Sequence, residues 1–305
     1  MKIIARVFAG FGNQMFQYAC GKAVASRLKA DLYLDLSWFY NGNRIFALDI
    51  FPNINYYELP QRNSFINKII RHPFVNKIIR HPFINKIIAL GINILCRMKY
   101  VIIEPYHAYW EGIEQIKSSV VLYGFWQNEK YFSFISSVIK HDFQFPEFDS
   151  FEAKNMAGKI TKTPFSICVH VRRGDYIEDP RINKFHGVCS PDYYKEAINI
   201  IIDKSEEKMN PELYLFSDDP DWVKNNFNTC GLPSFVVDIE DHKKKPYHDM
   251  HLMSLCQHHI IANSSFSWWG AWLSSKNGIV VAPKRWFADE KMKSYNPSVE
   301  SWITI

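Results

Sequence analysis

Short apolar runs alternate with helical patterns along most of the chain. An apolar run at 2–8 precedes a helical pattern over about 14–28, and a second apolar run follows at 31–36. The order strand, helix, strand predicts a βαβ unit at the start of the chain. Near the middle, residues 120–124 are predicted to form another strand, with 125–132 as the entry to a helix.

The second half of the chain repeats the same alternation. Predicted strands at 165–171, 213–216, 234–238, 259–262 and 278–282 are separated by helical patterns. Strands that alternate with helices pair in parallel, and ligands bind such a sheet at the carboxyl ends of its strands. We therefore predict a Rossmann-like α/β sheet. The distinctive polar clusters of this half each follow a predicted strand.

The composition is that of a globular protein. Its 305 residues suffice for two small domains or one large one, and 47 % hydrophobic with 22 % charged residues argues against wholesale disorder. Aromatic residues make up 16 %, which suits a protein that grips a sugar or a base, although cores use aromatic side chains too. No apolar run matches a signal peptide or a membrane span. The six scattered cysteines form no CxxC pair, so we expect free thiols in a reducing cytoplasm.

A basic segment interrupts the first half. Residues 66–88 contain two copies and a fragment of a nine-residue repeat, with a proline in each full copy. Eight basic and no acidic residues lie between Glu58 and Glu104, so this segment carries all of the net charge of +5. One hypothesis is peripheral contact with anionic lipid through residues 62–99, which loss of liposome binding on deleting 66–83 would support. The alternative is a duplicated surface insert. The charge does not indicate nucleic-acid binding.

The segment His-Val-Arg-Arg-Gly-Asp at 170–175 ends a predicted strand with two arginines. Strand alternation places His170 and Arg172 on the same face, and Gly174 allows a tight exit. Planar guanidinium groups bind phosphate oxygens in pairs, so two arginines at a strand end suit a diphosphate. Asp175 either orients one arginine or acts as an acid or base. A salt-bridged surface turn is the alternative explanation.

A second cluster follows the predicted strand at 259–262. Asn263, Ser264 and Ser265 come at a helix N-terminus, where free N–H groups and the helix dipole bind anions. The alternative is ordinary serine capping, with the tryptophans that follow in the core. Upstream, the carboxylate of Asp249 can accept the N1–H and N2–H of a guanine. A helix-start aspartate is the simpler explanation of that residue.

A third cluster comes at the first predicted strand-to-helix turn. Gly10 and Gly12 let the backbone approach a ligand, and the Asn13 amide can bond to it. The spacing is neither GxGxxG nor GxxxxGKS, so the nucleotide fingerprints of dehydrogenases and ATPases are absent.

Four segments, taken in order, resemble the α-1,2-fucosyltransferase family. They are Gly-Phe-Gly-Asn-Gln-Met-Phe-Gln-Tyr at 10–18, Leu-Tyr-Gly-Phe-Trp-Gln at 122–127, the cluster at 170–176, and the segment 262–272. The family includes the blood-group H enzymes and bacterial lipopolysaccharide fucosyltransferases. The resemblance covers most of the chain except about 60–100. It implies an α/β fold of the GT-B-like type, with two Rossmann-type domains and a donor-binding cleft between them.

The resemblance also implies how the domains divide. We expect an acceptor-side α/β domain at 1–160 that contains the basic segment at 60–100. A GDP-fucose-binding domain is expected at 161–285, followed by a tail at 286–305 that packs back on the first domain.

The implied activity is transfer of L-fucose from GDP-β-L-fucose, with inversion, to the 2-hydroxyl of a terminal galactose in an oligosaccharide or lipopolysaccharide precursor. Arg172 is expected to hold the β-phosphate and offset the leaving-group charge, and Asn13 is expected to lie near the fucose. The α-1,6- and protein O-fucosyltransferases share the His-x-Arg-Arg-x-Asp motif, and by that similarity His170 and Asp249 contact guanosine. The expected donor-binding set is Gly10, Gly12, Asn13, His170, Arg172, Asp218, Asp249, Asn263, Ser264 and Ser265.

The catalytic base is not fixed by the sequence. Arg172 and Asp175 are the expected catalytic residues, and Asp175, Glu178, Asp179 and His186 remain candidates for the group that accepts the acceptor's proton.

The motif Asp219-Pro220-Asp221 matches the DxD clamp with which another glycosyltransferase class holds a metal ion. A proline after a strand, with acidic neighbours, is more typical of a helix start. We therefore predict that GDP-fucose is used without a metal or other cofactor.

Three other functions remain open: a fucosyltransferase of α-1,6-like linkage, a metal-dependent glycosyltransferase, and an inactive protein that binds a nucleotide or glycan. We expect a cytoplasmic protein, with peripheral contact at the inner membrane face as a hypothesis, and no nucleic-acid partner.

Overall fold

The computed structural model describes residues 1–41, 44–59, 101–105, 108–205, 210–239 and 245–305. The chain forms two compact units, Met1–Gln144 and Phe145–Ile305. Each has one parallel sheet, which confirms the predicted α/β class. The repeat at 66–88 and the basic segment at 62–99 lie outside the described residues. Within the described part, no helix is both long enough and apolar enough to span a bilayer.

The sheet of the first unit has β1 at its centre, paired in parallel with β2 and β5, and its strand order is β3-β2-β1-β5-β4. The strands in the described part of this unit are β1 Lys2–Arg6, β2 Asp31–Asp35, β3 Tyr57–Glu58, β4 Val101–Ile103 and β5 Val120–Tyr123. The helices described there are α1 Phe11–Leu28 and α2 Ser136–Asp142. Helix α1 packs closely on the sheet, because a Cβ at Gly21 would come within 2.8 Å of the Ala5 Cβ.

The sheet of the second unit has strand order β11-β10-β9-β6-β7-β8. The strands are β6 Ser166–Val171, β7 Glu212–Ser217, β8 Ser234–Val236, β9 His258–Ile260, β10 Val280–Ala282 and β11 Ile303–Thr304. The helices are α3 Phe151–Lys162, α4 Gly174–Glu178, α5 Pro180–His186, α6 Pro191–Lys204, α7 Pro220–Asn226, α8 Pro246–Leu255 and α9 Ser265–Trp272.

Strand β6 is buried along its whole length because helices cover both faces of the sheet. On one face Ile198 and Ile201 of α6 join Val169 in a buried cluster. On the other, Leu252 of α8 joins Cys168. Helix α6 begins as predicted, with the Ser190 hydroxyl accepting the Tyr193 N–H and proline at its first position.

The domain boundary differs from the predicted 160/161 and lies between Gln144 and Phe145. Helix α3 therefore belongs to the second unit. Its Ala153 and Ile160 are buried in the same cluster as Leu252 of α8, so the apolar face of α3 packs against the second unit.

The tail at 286–305, which the resemblance implies packs back on the first domain, belongs to the second unit. Strand β11 extends that unit's own sheet by pairing in parallel with β10. The Trp268 indole N–H donates to the Pro297 carbonyl at 2.9 Å, and the Trp302 ring lies 5.4 Å from the Trp268 ring. Burial of these apolar groups fixes the tail at the sheet edge.

Candidate functional site

The polar clusters of the second unit converge at one edge of its sheet. Strand β6 lies between β7 and β9, and parallel neighbours present their carboxyl ends at the same edge. Arg172 follows β6, Asp218 follows β7, and Ser264 lies beyond β9 at the start of α9. The Arg172 Nη1 lies 2.9 Å from the Asp218 Oδ2, and the ring of His170 in β6 lies 5.9 Å from the ring of Phe266 in α9.

Asp218 fixes the orientation of Arg172. Its Oδ2 holds the Arg172 guanidinium, and its Oδ1 accepts the backbone N–H of Arg173 at 2.8 Å. The guanidinium also lies 5.1 Å from the centre of the Tyr176 ring. About a quarter of each charged side chain remains exposed. A guanidinium held in place yet partly exposed is prepared to bind a phosphate, because little side-chain freedom is lost on binding.

Gly174 begins α4 directly against this ion pair. A Cβ at Gly174 would lie 2.4 Å from the Asp218 Oδ2, closer than real Cβ contacts come. The glycine therefore serves close approach to Asp218.

Arg173 does not share the role of Arg172. Its guanidinium lies 3.7 Å from the centre of the Trp222 ring, and its Nε donates to the Asp219 Oδ2 at 3.3 Å. Arg173 is therefore held by the start of α7 and is not placed as the sequence predicted, while binding of a diphosphate by Arg172 stays a prediction.

The carboxylates of the DxD motif are engaged at a helix start, as the sequence predicted. Asp219 caps α7 by accepting the Trp222 N–H at 3.1 Å, and Asp221 lies 3.6 Å from the Lys224 ammonium. Among the described residues no group of three or more His, Cys, Asp or Glu side chains is placed to hold a metal ion. Metal independence itself stays a prediction.

His170 is a neutral ring at this edge of the sheet. Only 4 % of the residue is exposed, and burial, with a smaller effect of Arg172, lowers the pKa of His170 to about 3. Its Nδ1 is buried and has no hydrogen-bond partner in the described part of the chain. A buried polar atom without a partner costs free energy, so a bound ligand that supplies one is favoured.

The start of α9 contains two of the predicted residues in the predicted place. The Ser264 hydroxyl accepts the Phe266 N–H at 3.3 Å and caps the helix, and Ser265 is its first residue. The remaining N–H groups of the first turn and the helix dipole favour an anion here.

Asn263 has a structural role that the sequence did not predict. It is 3 % exposed, and its amide donates to the carbonyls of His186, Gly187 and Trp286 at 2.9–3.3 Å. The side chain expected to bind the donor thus holds two loops together. Its backbone carbonyl accepts the Tyr176 hydroxyl at 3.3 Å.

Asp249 is a half-buried residue in the first turn of α8. That turn follows β8, and in an alternating fold the helix N-termini lie at the carboxyl edge of the sheet. Burial, and to a smaller extent Asp238, raise the pKa of Asp249 to about 7. Its Oδ1 is buried with no hydrogen-bond partner in the described structure. Such a carboxylate can take two N–H donors from a ligand.

The four base candidates differ in their surroundings. Asp179 caps α5 and pairs with Arg181, whose hydrogen bonds lower the pKa of Asp179 to about 2, which makes it a weak base. Glu178 is exposed at the end of α4, and the His186 ring stacks on Tyr176 at 4.5 Å. The side chain of Asp175 lies outside the described part of the structure.

In the first unit, the predicted glycine turn is the first turn of a helix. Helix α1 begins at Phe11, earlier than the hydrophobic pattern indicated, with Gly10 as its N-cap and Gly12 buried in the turn. Asn13 is partly exposed there, and its Oδ1 accepts the Gln127 Nε2–H at 2.5 Å.

No role is predicted from the sequence for two residues of the first unit, Gln127 and Glu104. Gln127 lies in the segment 122–127, one of the four that resemble the α-1,2-fucosyltransferase family. Glu104 carried a weaker signal, as the acidic residue that ends the long stretch without acidic side chains.

Comparisons of sequence agree on one family. A model described as glycosyl transferase family 11 matches residues 73–305. The chain is 36 % identical over 308 residues to an α-1,2-colitosyltransferase of Escherichia coli, covering 99 % of this chain and 98 % of that protein. It is 33 % identical over 312 residues to the O-antigen biosynthesis glycosyltransferase WbnK of Escherichia coli, covering 97 % and 98 %. Human galactoside α-(1,2)-fucosyltransferase 1 is 24 % identical over 195 residues, covering 60 % and 52 %.

Solved structures match the fold. Fucosyltransferase NodZ from Bradyrhizobium has a TM-score of 0.50 at 14 % identity, covering 88 % of this chain and 90 % of that one. A mutant of Arabidopsis thaliana FUT1 in complex with GDP has a TM-score of 0.51 at 15 % identity, covering 99 % and 76 %. These similarities confirm the predicted GT-B-like fold with two Rossmann-type domains.

Proposed function

The chain belongs to glycosyl transferase family 11, and on that premise we propose that it transfers L-fucose from GDP-β-L-fucose to the 2-hydroxyl of a terminal galactose. The observation that carries the proposal is the pair of features at the carboxyl edge of the second sheet. One is the Arg172 guanidinium held by Asp218, and the other is the N-terminus of α9, which Ser264 caps. Both features suit a diphosphate leaving group. The name of WbnK supports an acceptor that belongs to an O-antigen or related lipopolysaccharide precursor.

The transfer inverts the anomeric carbon. The bond from that carbon to the phosphate oxygen breaks, and its electron pair leaves with GDP. Arg172 and the N-terminus of α9 stabilise the charge that develops on the departing phosphate. The galactose 2-hydroxyl oxygen attacks the opposite face, and its proton passes to a base. Of the four candidates, Asp175, Glu178 and His186 remain in this role, because the low pKa of Asp179 disfavours it.

The nucleoside end of the donor is assigned to His170 and Asp249. Guanine presents N1–H and N2–H donors, which an ionised Asp249 accepts, and the neutral His170 ring offers its unpartnered Nδ1. In the first unit, we assign Asn13 to the transferred sugar, on the resemblance of its motif alone. The mechanism contains no step that requires a metal ion.

Incubation with GDP-fucose and lactose, with and without EDTA, tests the proposal. A product with α-1,2-linked fucose on galactose, identified by mass and NMR and unchanged by EDTA, is the expected result. An α-1,6 linkage would favour the rival linkage, and loss of activity in EDTA would favour a metal-dependent enzyme. Absence of turnover with every galactoside would favour a binding protein.

A colitosyl donor is the second candidate, because the chain is 36 % identical to an α-1,2-colitosyltransferase along nearly its whole length. The same assay with GDP-linked colitose compares the two donors directly. If kcat/KM is at least tenfold higher with the colitosyl donor, the transferred sugar is colitose and not fucose. The residues assigned to the nucleotide stay the same in that case.

GDP affinity is expected to rise with pH and to level off above pH 7. The pKa of Asp249 is raised to about 7, so the carboxyl group is mostly protonated below that pH and must lose its proton to accept both guanine donors. The dissociation constant therefore increases by up to about tenfold for each pH unit below 7. Calorimetry from pH 5.5 to 8.5 measures it.

Asp249→Asn separates this effect from the ionisation of GDP itself, which is the same in both proteins. The variant is expected to lose the part of the pH dependence that Asp249 causes. Asp192→Asn, which changes an exposed aspartate in the first turn of α6, is the matched control and should follow the wild-type curve. Parallel curves for wild type and Asp249→Asn would contradict the assignment.

A further inference from the structure

The first unit contains a half-buried carboxylate that the proposed chemistry does not use. Glu104 follows β4 at the carboxyl end of the sheet, and its backbone N–H donates to the Tyr123 carbonyl at 2.9 Å. Its Oε2 accepts two backbone N–H groups, from Phe125 at 2.7 Å and from Trp126 at 3.2 Å. One carboxylate oxygen therefore holds the start of the turn that follows β5.

The turn at 124–127 is shaped around this carboxylate. A Cβ at Gly124 would lie 2.3 Å from the Glu104 Cβ and 2.7 Å from its Oε2, so only glycine lets the two segments approach. Trp126 adopts a φ of +55°, which is unfavourable for a residue with a Cβ. The surroundings must hold it there, and they do so through the Glu104 hydrogen bond and the burial of the Trp126 ring against Tyr131.

The same turn reaches the start of α1 at two points. The Phe125 ring packs on Phe8, with ring centres 5.0 Å apart, in the segment that leads into the helix. The Gln127 Nε2–H donates to the Asn13 Oδ1 at 2.5 Å. Because its oxygen accepts this bond, the Asn13 amide is held in one of its two flipped orientations, with its own N–H donors directed elsewhere.

We infer that Glu104 is a positioning residue whose carboxylate fixes the turn at 124–127 and thereby, through Gln127, sets the orientation of the Asn13 amide. The inference rests on the proposed function, in which Asn13 contacts the transferred sugar. The chain of contacts requires an oxygen that accepts two N–H groups and does not require a negative charge. Burial raises the pKa of Glu104 to about 7 although the two N–H bonds act against the shift, so the site readily holds a neutral carboxyl group.

Glutamine and alanine at position 104 distinguish positioning from proton transfer. Glu104→Gln keeps an oxygen for both N–H groups and removes any capacity as a base, so it is expected to retain at least half of the wild-type kcat. Glu104→Ala leaves both N–H groups without their acceptor and is expected to lower kcat/KM about tenfold. The affinity for GDP should change less than twofold in both, because the residues assigned to the nucleotide belong to the second unit. Glu111→Ala, an exposed glutamate of the first unit, is the matched control.

Two further measurements test the route through Asn13. The loss in Glu104→Ala and that in Asn13→Ala are expected to be non-additive, so that the double variant is no worse than Asn13→Ala alone. The side-chain amide NMR signal of Asn13 is expected to shift in Glu104→Ala and to stay in place in Glu104→Gln. The NMR readout does not depend on activity, so it tests the inference separately from the proposed function. Failure of the proposed function would appear instead as a wild-type protein that is inactive with every donor.

Three results would overturn the inference. Glu104→Gln as inactive as Glu104→Ala would assign a charge or a base to this carboxylate. Full activity and an unshifted Asn13 signal in Glu104→Ala would remove its positioning role. Additive losses would show that it does not act through Asn13. If Glu104→Ala does not fold, Gln127→Ala tests the same route, because it breaks the contact between the turn and Asn13. This variant is expected to lower kcat/KM about tenfold and to shift the Asn13 amide signal. Wild-type values of both in Gln127→Ala would also overturn the inference.

Discussion

Replacement of Arg172 by alanine is expected to lower kcat for sugar transfer at least about 100-fold while the protein stays folded. Removing a preorganised group that stabilises developing negative charge costs roughly 3 kcal/mol or more of transition-state stabilisation. Arg172 is partly exposed, and its ion pair with Asp218 lies at the surface of the sheet edge, so the fold depends on it little. Single-turnover assays with GDP-fucose and lactose, beside a thermal melt, measure both effects.

Two variants make the result specific to Arg172. Arg172→Lys keeps the charge but loses the planar fork, so it is expected to recover only part of the activity. Arg181→Ala removes an arginine of the same unit whose side chain is 90 % exposed, and it should match the wild type. Near-wild-type turnover in Arg172→Ala would contradict the assignment of this residue to the leaving group.

The place of the site could be predicted from the sequence because it depends on one rule of α/β folds. His170, Arg172, Asp218 and Ser264 each lie at or just after the end of a strand, and parallel strands present those ends at one edge. The rule needs only the order of strands and helices, which the alternation of apolar and helical patterns shows. The ion pair between Arg172 and Asp218 confirms that β6 and β7 end together.

The role of each side chain could not be predicted in the same way. Arg173 is next to Arg172, yet it packs on Trp222, and nothing in the local sequence shows that α7 would bring an indole to it. Asn263 lies in the serine cluster but donates to carbonyls 77 and 23 residues away. Such roles depend on contacts between segments far apart in sequence, which periodicity does not contain.

The boundary between the two units and the position of the tail at 286–305 also depend on contacts between distant segments, which the sequence pattern does not show. Helix α3 is amphipathic and β11 has only two residues, so neither segment shows in its own sequence which sheet it joins. The buried positions of Ala153 and Ile160 beside α8, and the pairing of Ile303 with Val281, decide the matter in favour of the second unit. Complementarity of packing at these sites selects the partner, and it is visible only in three dimensions.

Replacement of Gly174 by alanine is expected to lower kcat/KM about 100-fold, although it adds a single methyl group at a helix start. That Cβ would lie 2.4 Å from the Asp218 Oδ2 and 3.0 Å from its Cγ. Asp218 has a short side chain that holds both Arg172 and the Arg173 N–H, so it cannot move aside without releasing them. An error of about 1 Å in the position of a catalytic group is enough to cost about two orders of magnitude in rate.

Gly158→Ala is the matched control, since it adds the same methyl group to α3 of the same unit, where nothing beyond the adjoining residues and the helix's own backbone lies within 4 Å of the new Cβ. It is expected to raise the free energy of unfolding by about 0.5–1 kcal/mol, because alanine favours a helix interior over glycine, and to leave kcat/KM unchanged. Wild-type kcat/KM in Gly174→Ala would show that Asp218 can shift without misplacing Arg172. Activity would then depend on the charge of that arginine, and the fixed orientation that Asp218 and Gly174 give it would have no role in catalysis.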